Sequence, residues 1–128
     1  VMAKRIFISF PIEDANLRDF IVGQSKLDKS PFEFVDMSVK EPWKTDWKEK
    51  CRTKIKGCDG VLVIITKNTK KASGQIWEIK CAKEEKIPCR GIWGHNDEKY
   101  NSYLPDEMNN IPTLNWSWNN IKNWIDSL

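Results

Sequence analysis

The position in this sequence best suited to chemistry is a glutamate one turn into a helix. Glu78 follows Ser73-Gly74-Gln75-Ile76-Trp77. At about 100° per residue, Ile76, Ile79 and Ile87 define the apolar arc of that helix, and Glu78 falls at its border. By spacing alone a border glutamate faces solvent. Its wheel neighbours Gly74, Cys81 and Ala82 are small, however, and leave space for a recess, with Trp77 beside it. Glu84 and Glu85, set among Lys83 and Lys86, read as solvated charges instead. Trp43 is a second candidate. It lies in a loop after Asp36-x-Ser38, with no periodic reason to be apolar, and an aromatic there either stacks on a flat ring such as a nucleobase or anchors the loop over the core.

Other chemistries are poorly supplied. The chain has 128 residues and a single histidine, His95, so a Ser-His-Asp or Cys-His mechanism would depend wholly on that one loop residue, to which no role is assigned. The cysteines Cys51, Cys58, Cys81 and Cys89 form no C-x-x-C pair, which argues against zinc and reads as reduced, buried thiols. No Gly-x-Gly-x-x-Gly and no Walker A sequence is present. A phospho-acceptor receiver domain needs an aspartate after the third strand, and Thr66 stands there. The run Lys67-Asn68-Thr69-Lys70-Lys71 reads as a solvated loop, although it could contact phosphates. The net charge of +3 is mildly basic and does not suit a binder of DNA.

Alternating strands and helices must position these residues. Arg5–Phe10 reads as a first strand ended by Pro11, and Glu13–Gln24 as a helix with Leu17, Phe20 and Ile21 on one face, broken by Gly23 and Ser30-Pro31. Phe32–Val35 is a short second strand. Thr45–Gly57 is a helix with the stripe Trp47, Cys51, Ile55 and Cys58. Val61–Ile65 is apolar without alternation, the pattern of a central parallel strand covered on both faces. Ser73 caps a helix running to Lys86, and Cys89–Trp93 is the next strand. A long loop with a turn near Pro105–Met108 leads to a strand at Thr113–Asn115. A last helix begins at Ser117 or Asn119 and runs to Leu128, with Ile121, Trp124, Ile125 and Leu128 on one face. Trp47, Trp93 and Trp124 fall at core positions, and Trp116 and Trp118 pack around that last helix.

This order specifies a single α/β domain over residues 1–128: a small, doubly wound, flavodoxin-like and mostly parallel five-stranded sheet with helices on both faces. Ligands of such folds bind at the carboxyl ends of the strands, where the strand order reverses. Ser9-Phe10, Asp36-Met37-Ser38, Thr66 and Gly94 lie at those ends. No apolar run approaches the roughly 18 residues that would span a membrane. No signal peptide is visible, Met2 reads as the native start, and a cytoplasmic setting is expected.

At these residues the chain resembles TIR-like domains, and in particular the bacterial and archaeal TIR-like family that includes the Thoeris anti-phage protein ThsB. Lys4–Phe10 with Glu13-Asp14 resembles the first TIR strand and its acidic follow-on, and Phe34-Val35-Asp36-Met37-Ser38 the second strand and its exit. Val61–Thr66 with Thr69 and Ser73 resembles the third strand. Trp77-Glu78-Ile79 with Ala82 and Pro88 resembles the aromatic-Glu-Ile helix before the fourth, and Leu114-Asn115-Trp116 with Ile121 the ending. The likeness covers almost the whole chain.

The resemblance implies an enzyme that cleaves the nicotinamide–ribose bond of NAD+, with Glu78 as the catalytic residue. NAD+ is then a substrate, and neither metal nor prosthetic group is called for. The product would be a cyclic ADP-ribose isomer or another ADP-ribose-derived signal, activating a separate effector protein in anti-phage defence. Self-association or a phage-derived trigger would switch the activity on. Phe10 and Trp43 become candidates to flank nicotinamide or adenine. Ser9, Asp36 and Ser38 become candidates to bond ribose or phosphate, and Ser73 and Trp77 complete the substrate-binding set. Many relatives carry a second tryptophan about four residues before the glutamate, where this chain has Gly74. Two other readings stand beside this one: a non-catalytic TIR adaptor that self-associates, and a nucleoside deoxyribosyltransferase-like enzyme.

Overall fold

The computed structural model describes residues 3–128; the reading of the chain start falls on Val1 and Met2, outside them. Strands β1 (Arg5–Ser9), β2 (Glu33–Val35), β3 (Gly60–Ile65), β4 (Cys89–Trp93) and β5 (Thr113–Leu114) alternate with helices α1 (Ala15–Leu27), α2 (Thr45–Lys56), α3 (Ser73–Glu84) and α4 (Trp118–Asp126). The sheet is parallel throughout, in the order β2-β1-β3-β4-β5. The chain leaves β1 for one edge, returns, and crosses to β3 on the other side. The strand order therefore reverses between β1 and β3.

All six residues of β3 are buried, as its unbroken apolar run requires. Side chains that alternate along the strands build two layers. Ile6, Ile8, Leu62 and Ile64 face Leu17, Ile21, Ile121, Trp124 and Ile125 of α1 and α4. Phe7, Val61, Val63 and Ile65 face Trp47, Cys51, Ile55, Ile79 and Ala82 of α2 and α3. By the same period of two, Ser9 points to the α3 layer, where Glu78 lies. No helix among the described residues is long and apolar enough to cross a membrane.

Several local expectations give way to tertiary structure. Gly23 does not break α1; the helix runs on to Leu27 and closes where Lys29 takes φ 54° and the Ser30 N–H bonds the Ser25 carbonyl at 3.0 Å. Phe20 is 58% exposed, because the buried stripe of α1 runs through Leu17, Ile21 and Ser25, four residues apart. Helix α3 stops two residues before Lys86, which turns left-handed at φ 57° so that the Ile87 N–H reaches the Ala82 carbonyl at 3.0 Å. Ser73 is the first residue of that helix, and its hydroxyl makes no cap bond; Ala72 holds the cap position. Ser117 does cap α4, accepting from the Asn120 N–H at 3.0 Å. Glu84 and Glu85 are not simply solvated: both bind Arg52 of α2, at 2.9 and 2.5 Å.

Candidate functional site

Glu78 is completely buried, not solvent-facing. Its two oxygens are separately engaged. Oε1 accepts from the Ser9 hydroxyl at 2.8 Å, and Oε2 receives the Lys40 ammonium, also at 2.8 Å. Ser9 ends β1, Lys40 comes from the β2–α2 loop, and Glu78 from α3, so three chain segments converge at the strand-order switch. The Lys40 side chain is 8% exposed, and its Nζ lies 4.1 Å from the centre of the Phe10 ring. That ring also carries the Arg18 guanidinium at 5.1 Å, and Arg18 in turn binds Asp36 at 3.1 Å.

Burial sets the electrostatics. Desolvation lifts the Glu78 carboxyl from 4.5 to about 7, against the opposing pull of Lys40 and Ser9 and with a small further push from Asp36. The folded state thus holds this proton more tightly than the unfolded chain does. The associated stability is fully present below pH 4.5 and is lost as pH rises through about 7. A shift of that size is worth about 3 kcal/mol. Comparing Glu78→Gln with the parent isolates this contribution. Urea unfolding of the two between pH 4.5 and 8 is expected to show the parent losing stability relative to the variant as pH rises, and a pH-independent difference contradicts the placement of Glu78.

Gln75 lies one turn before Glu78 on the same buried face and is fully buried too. Its Nε2 donates to the Ser9 carbonyl at 3.2 Å and to the Ile64 carbonyl at 2.7 Å, tying α3 to the ends of β1 and β3. A second cluster forms under the next loop. Asp14 accepts from the Thr66 hydroxyl at 2.6 Å and from the Asn68 amide at 3.2 Å, and the Thr69 hydroxyl accepts from the Thr66 N–H at 3.0 Å. The run from Lys67 to Lys71 is thereby an anchored turn with Thr69 wholly buried, not a free loop.

The other sequence-derived candidates scatter around this centre. Ser9 and Phe10 stand in it. Asp36 stands at its edge, held by Arg18. Ser38 is exposed and lines a separate cleft with Met37, Lys44, Trp47 and Lys54. Ser73 and Trp77 line a groove with Pro42, Lys70, Lys71 and Lys80, and Ser73 also lines the cleft beside the site with Lys40, Gly74 and Gln75. Trp77 also packs edge-on against Trp47 at 5.5 Å and under Arg52 at 5.4 Å, a packing role. Trp43 is 70% exposed and neither covers the core nor joins the Glu78 cluster. His95 is exposed. All four cysteines are free; burial raises their thiols, those of Cys58, Cys81 and Cys89 to about 11. No group of three or more His, Cys, Asp or Glu side chains among the described residues could hold a metal ion.

Sequence reasoning missed Lys40, Arg18 and Gln75. Gln75 was within reach, since it precedes Glu78 by three residues on one helix face. Lys40 and Arg18 are two among 21 Lys and Arg residues, and nothing local distinguishes them.

The sequence matches no protein-family model and no curated protein. Solved structures do resemble it. One is the TIR domains in the structure of the activated Roq1 resistosome directly recognizing the pathogen effector XopQ, at 12% identity and a TM-score of 0.52, over 71% of this chain and 57% of that one. Another is a prokaryotic SEFIR domain, at 22% identity and a TM-score of 0.54, over 98% of this chain and 89% of that one. The fold is TIR-like. The chain spans little more than half the length of the Roq1 chain, and at these identities the likeness concerns the fold. Within this TIR-like fold, Glu78, Ser9 and Phe10 meet where doubly wound sheets place their ligands.

Proposed function

We propose that the chain is a TIR-like enzyme that cleaves NAD+ at the nicotinamide–ribose bond, with Glu78 as its catalytic carboxylate. The observation that supports this most is the burial of Glu78 at the switch between β1 and β3, with one oxygen oriented by Ser9 and the Phe10 ring facing the ammonium that its other oxygen binds. The chemistry asks for little more. The bond from ribose C1′ to the pyridinium nitrogen breaks, and its electron pair leaves with nicotinamide, which departs neutral, so no general acid is needed. Positive charge develops on the ribose, and a desolvated carboxylate stabilises it more strongly than one in water does. Water attacking C1′ and releasing a proton gives ADP-ribose; a hydroxyl of the same molecule gives a cyclic product. No histidine, metal or prosthetic group enters these steps.

In this reading the ADP-ribose product is a signal in Thoeris-type anti-phage defence, read by a separate effector. Self-association or a phage-derived trigger raises the activity. One observation favours a second reading, a non-catalytic module for self-association. The Lys40–Glu78 pair satisfies both charges and serves equally well as a structural ion pair. Incubating the protein with NAD+, alone and in a phage-infected lysate, separates the two by mass spectrometry. Nicotinamide appearing together with an ADP-ribose product is the expected result. NAD+ left intact in every arm supports the module.

A further inference from the structure

The centre just described is closed by the chain's own lysine. We propose that Lys40 is an internal cation that shuts the Glu78 site, its ammonium resting between the Phe10 ring and the Glu78 carboxylate where a cationic group of the substrate would rest, and that Gly74 provides the room for its stem. This rests on the reading of Glu78 as the site of NAD+ cleavage and adds how access to it is controlled.

Three independent features support the closure. The first is the cage. An aromatic face at 4.1 Å and a carboxylate oxygen at 2.8 Å from one ammonium make a recognition site for a cation. The nicotinamide ring of NAD+ is a cation too, and exchanging one for the other conserves the charge beside Glu78. A neutral dihydronicotinamide cannot make that exchange, so the cage selects the oxidised dinucleotide.

The second is the fit of Lys40 to α3. A Cβ built on Gly74 would come within 2.8 Å of the Lys40 Cβ and 3.3 Å of its Cγ and Cδ. The lysine stem therefore crosses the helix at the one residue without a side chain and reaches Glu78 a turn later. The first of those clashes falls on the Cβ and not on the flexible end, so the loop at Lys40 would have to shift to accept even a methyl group.

The third is space. The cleft beside the site, lined by Ile12, Glu13, Lys40, Lys71, Gly74 and Gln75, holds about 200 Å³. Small-molecule sites usually hold about 300–1,000 Å³. With Lys40 in place Glu78 has no exposed surface, and in the proposed open state the Lys40 side chain swings off it. A site that is open only part of the time shows an affinity lowered by that fraction.

Lys40→Ala removes the internal cation, and Gly74→Ala displaces it without altering any charged group. Both are to be assayed for nicotinamide release over a range of NAD+ concentrations and at alkaline pH, because losing Lys40 also removes a cation that favours the ionised Glu78. In parallel, carbodiimide coupling of glycine ethyl ester, read by peptide mass, reports the accessibility of Glu78. We expect labelling at Glu78 to rise from near zero in both variants, and release at low NAD+ to rise about tenfold or more through a lower KM. Glu78 labelling that stays at the parent level in both variants overturns the closure, and so does a fall in kcat with KM unchanged in Lys40→Ala. Labelling that rises in both variants with no nicotinamide formed by any protein upholds the closure and counts against NAD+ cleavage instead.

Discussion

Gln75→Ala is expected to cost about 3–5 kcal/mol of stability and to lower the melting temperature by roughly 10 °C or more. One amide nitrogen serves the carbonyls of Ser9 and Ile64, at the ends of the two strands between which the order reverses. The Ser9 carbonyl loses this donor and the Ile64 carbonyl keeps only a long bond from the Thr69 hydroxyl at 3.4 Å; each such loss costs about 1–3 kcal/mol, and truncation leaves a void besides. Total stability for a chain of this kind is about 5–15 kcal/mol, so the loss is a large share. The damage also reaches the site, because the same bonds hold α3, and with it Glu78, against Ser9. Thermal melts of Gln75→Ala beside Lys80→Ala, an exposed change on the same helix, test this. A drop no larger than that of Lys80→Ala contradicts the role given to Gln75.

Glu78→Gln is expected to lower kcat/KM for NAD+ by about a hundredfold or more while the protein stays folded. Removing one preorganised electrostatic partner from a water-excluded site typically costs a factor of about 10²–10³. Glutamine keeps the shape and still bonds Ser9, but it offers no negative charge to the ribosyl cation. Desolvation of the parent carboxyl, lifted to about 7, offsets part of the cost of leaving the Lys40 ammonium without its counter-ion, and the glutamine amide oxygen still accepts from that ammonium, so the protein is expected to stay folded. In the proposed reaction the ionised form is the working one, so parent activity is expected to rise with pH through about 7 and to level off above it. A flat profile between pH 5.5 and 8 contradicts that assignment.

The elements were legible because apolar spacing announces them. The unbroken run at β3 forces a strand covered on both faces, and the stripe Trp47, Cys51, Ile55, Cys58 lands wholly in the core. The order of those elements implies the parallel sheet and the switch point, and so the neighbourhood of the site. What was not legible depends on partners distant in sequence. The helical wheel places Glu78 only at a border; β1 and the Lys40 loop decide that it is sealed. Phe20 satisfies the spacing of α1 yet lies outside the stripe that meets the sheet. Ser73 has the right chemistry for a cap, but the backbone enters the helix one residue earlier. Trp43 has an aromatic's capacity to stack, and the loop turns it outward. Lys40 carries no local sign at all, because its role exists only where Phe10, Gly74 and Glu78 surround it.

In the proposed reaction the Glu78 carboxylate opens the nicotinamide–ribose bond. The most direct test of this is the time course of nicotinamide formed from NAD+ by the parent and by Glu78→Gln, at equal concentrations of folded protein. Steady release by the parent is expected, with release at least about a hundredfold slower by the variant. Release by Glu78→Gln at the parental rate would contradict that role.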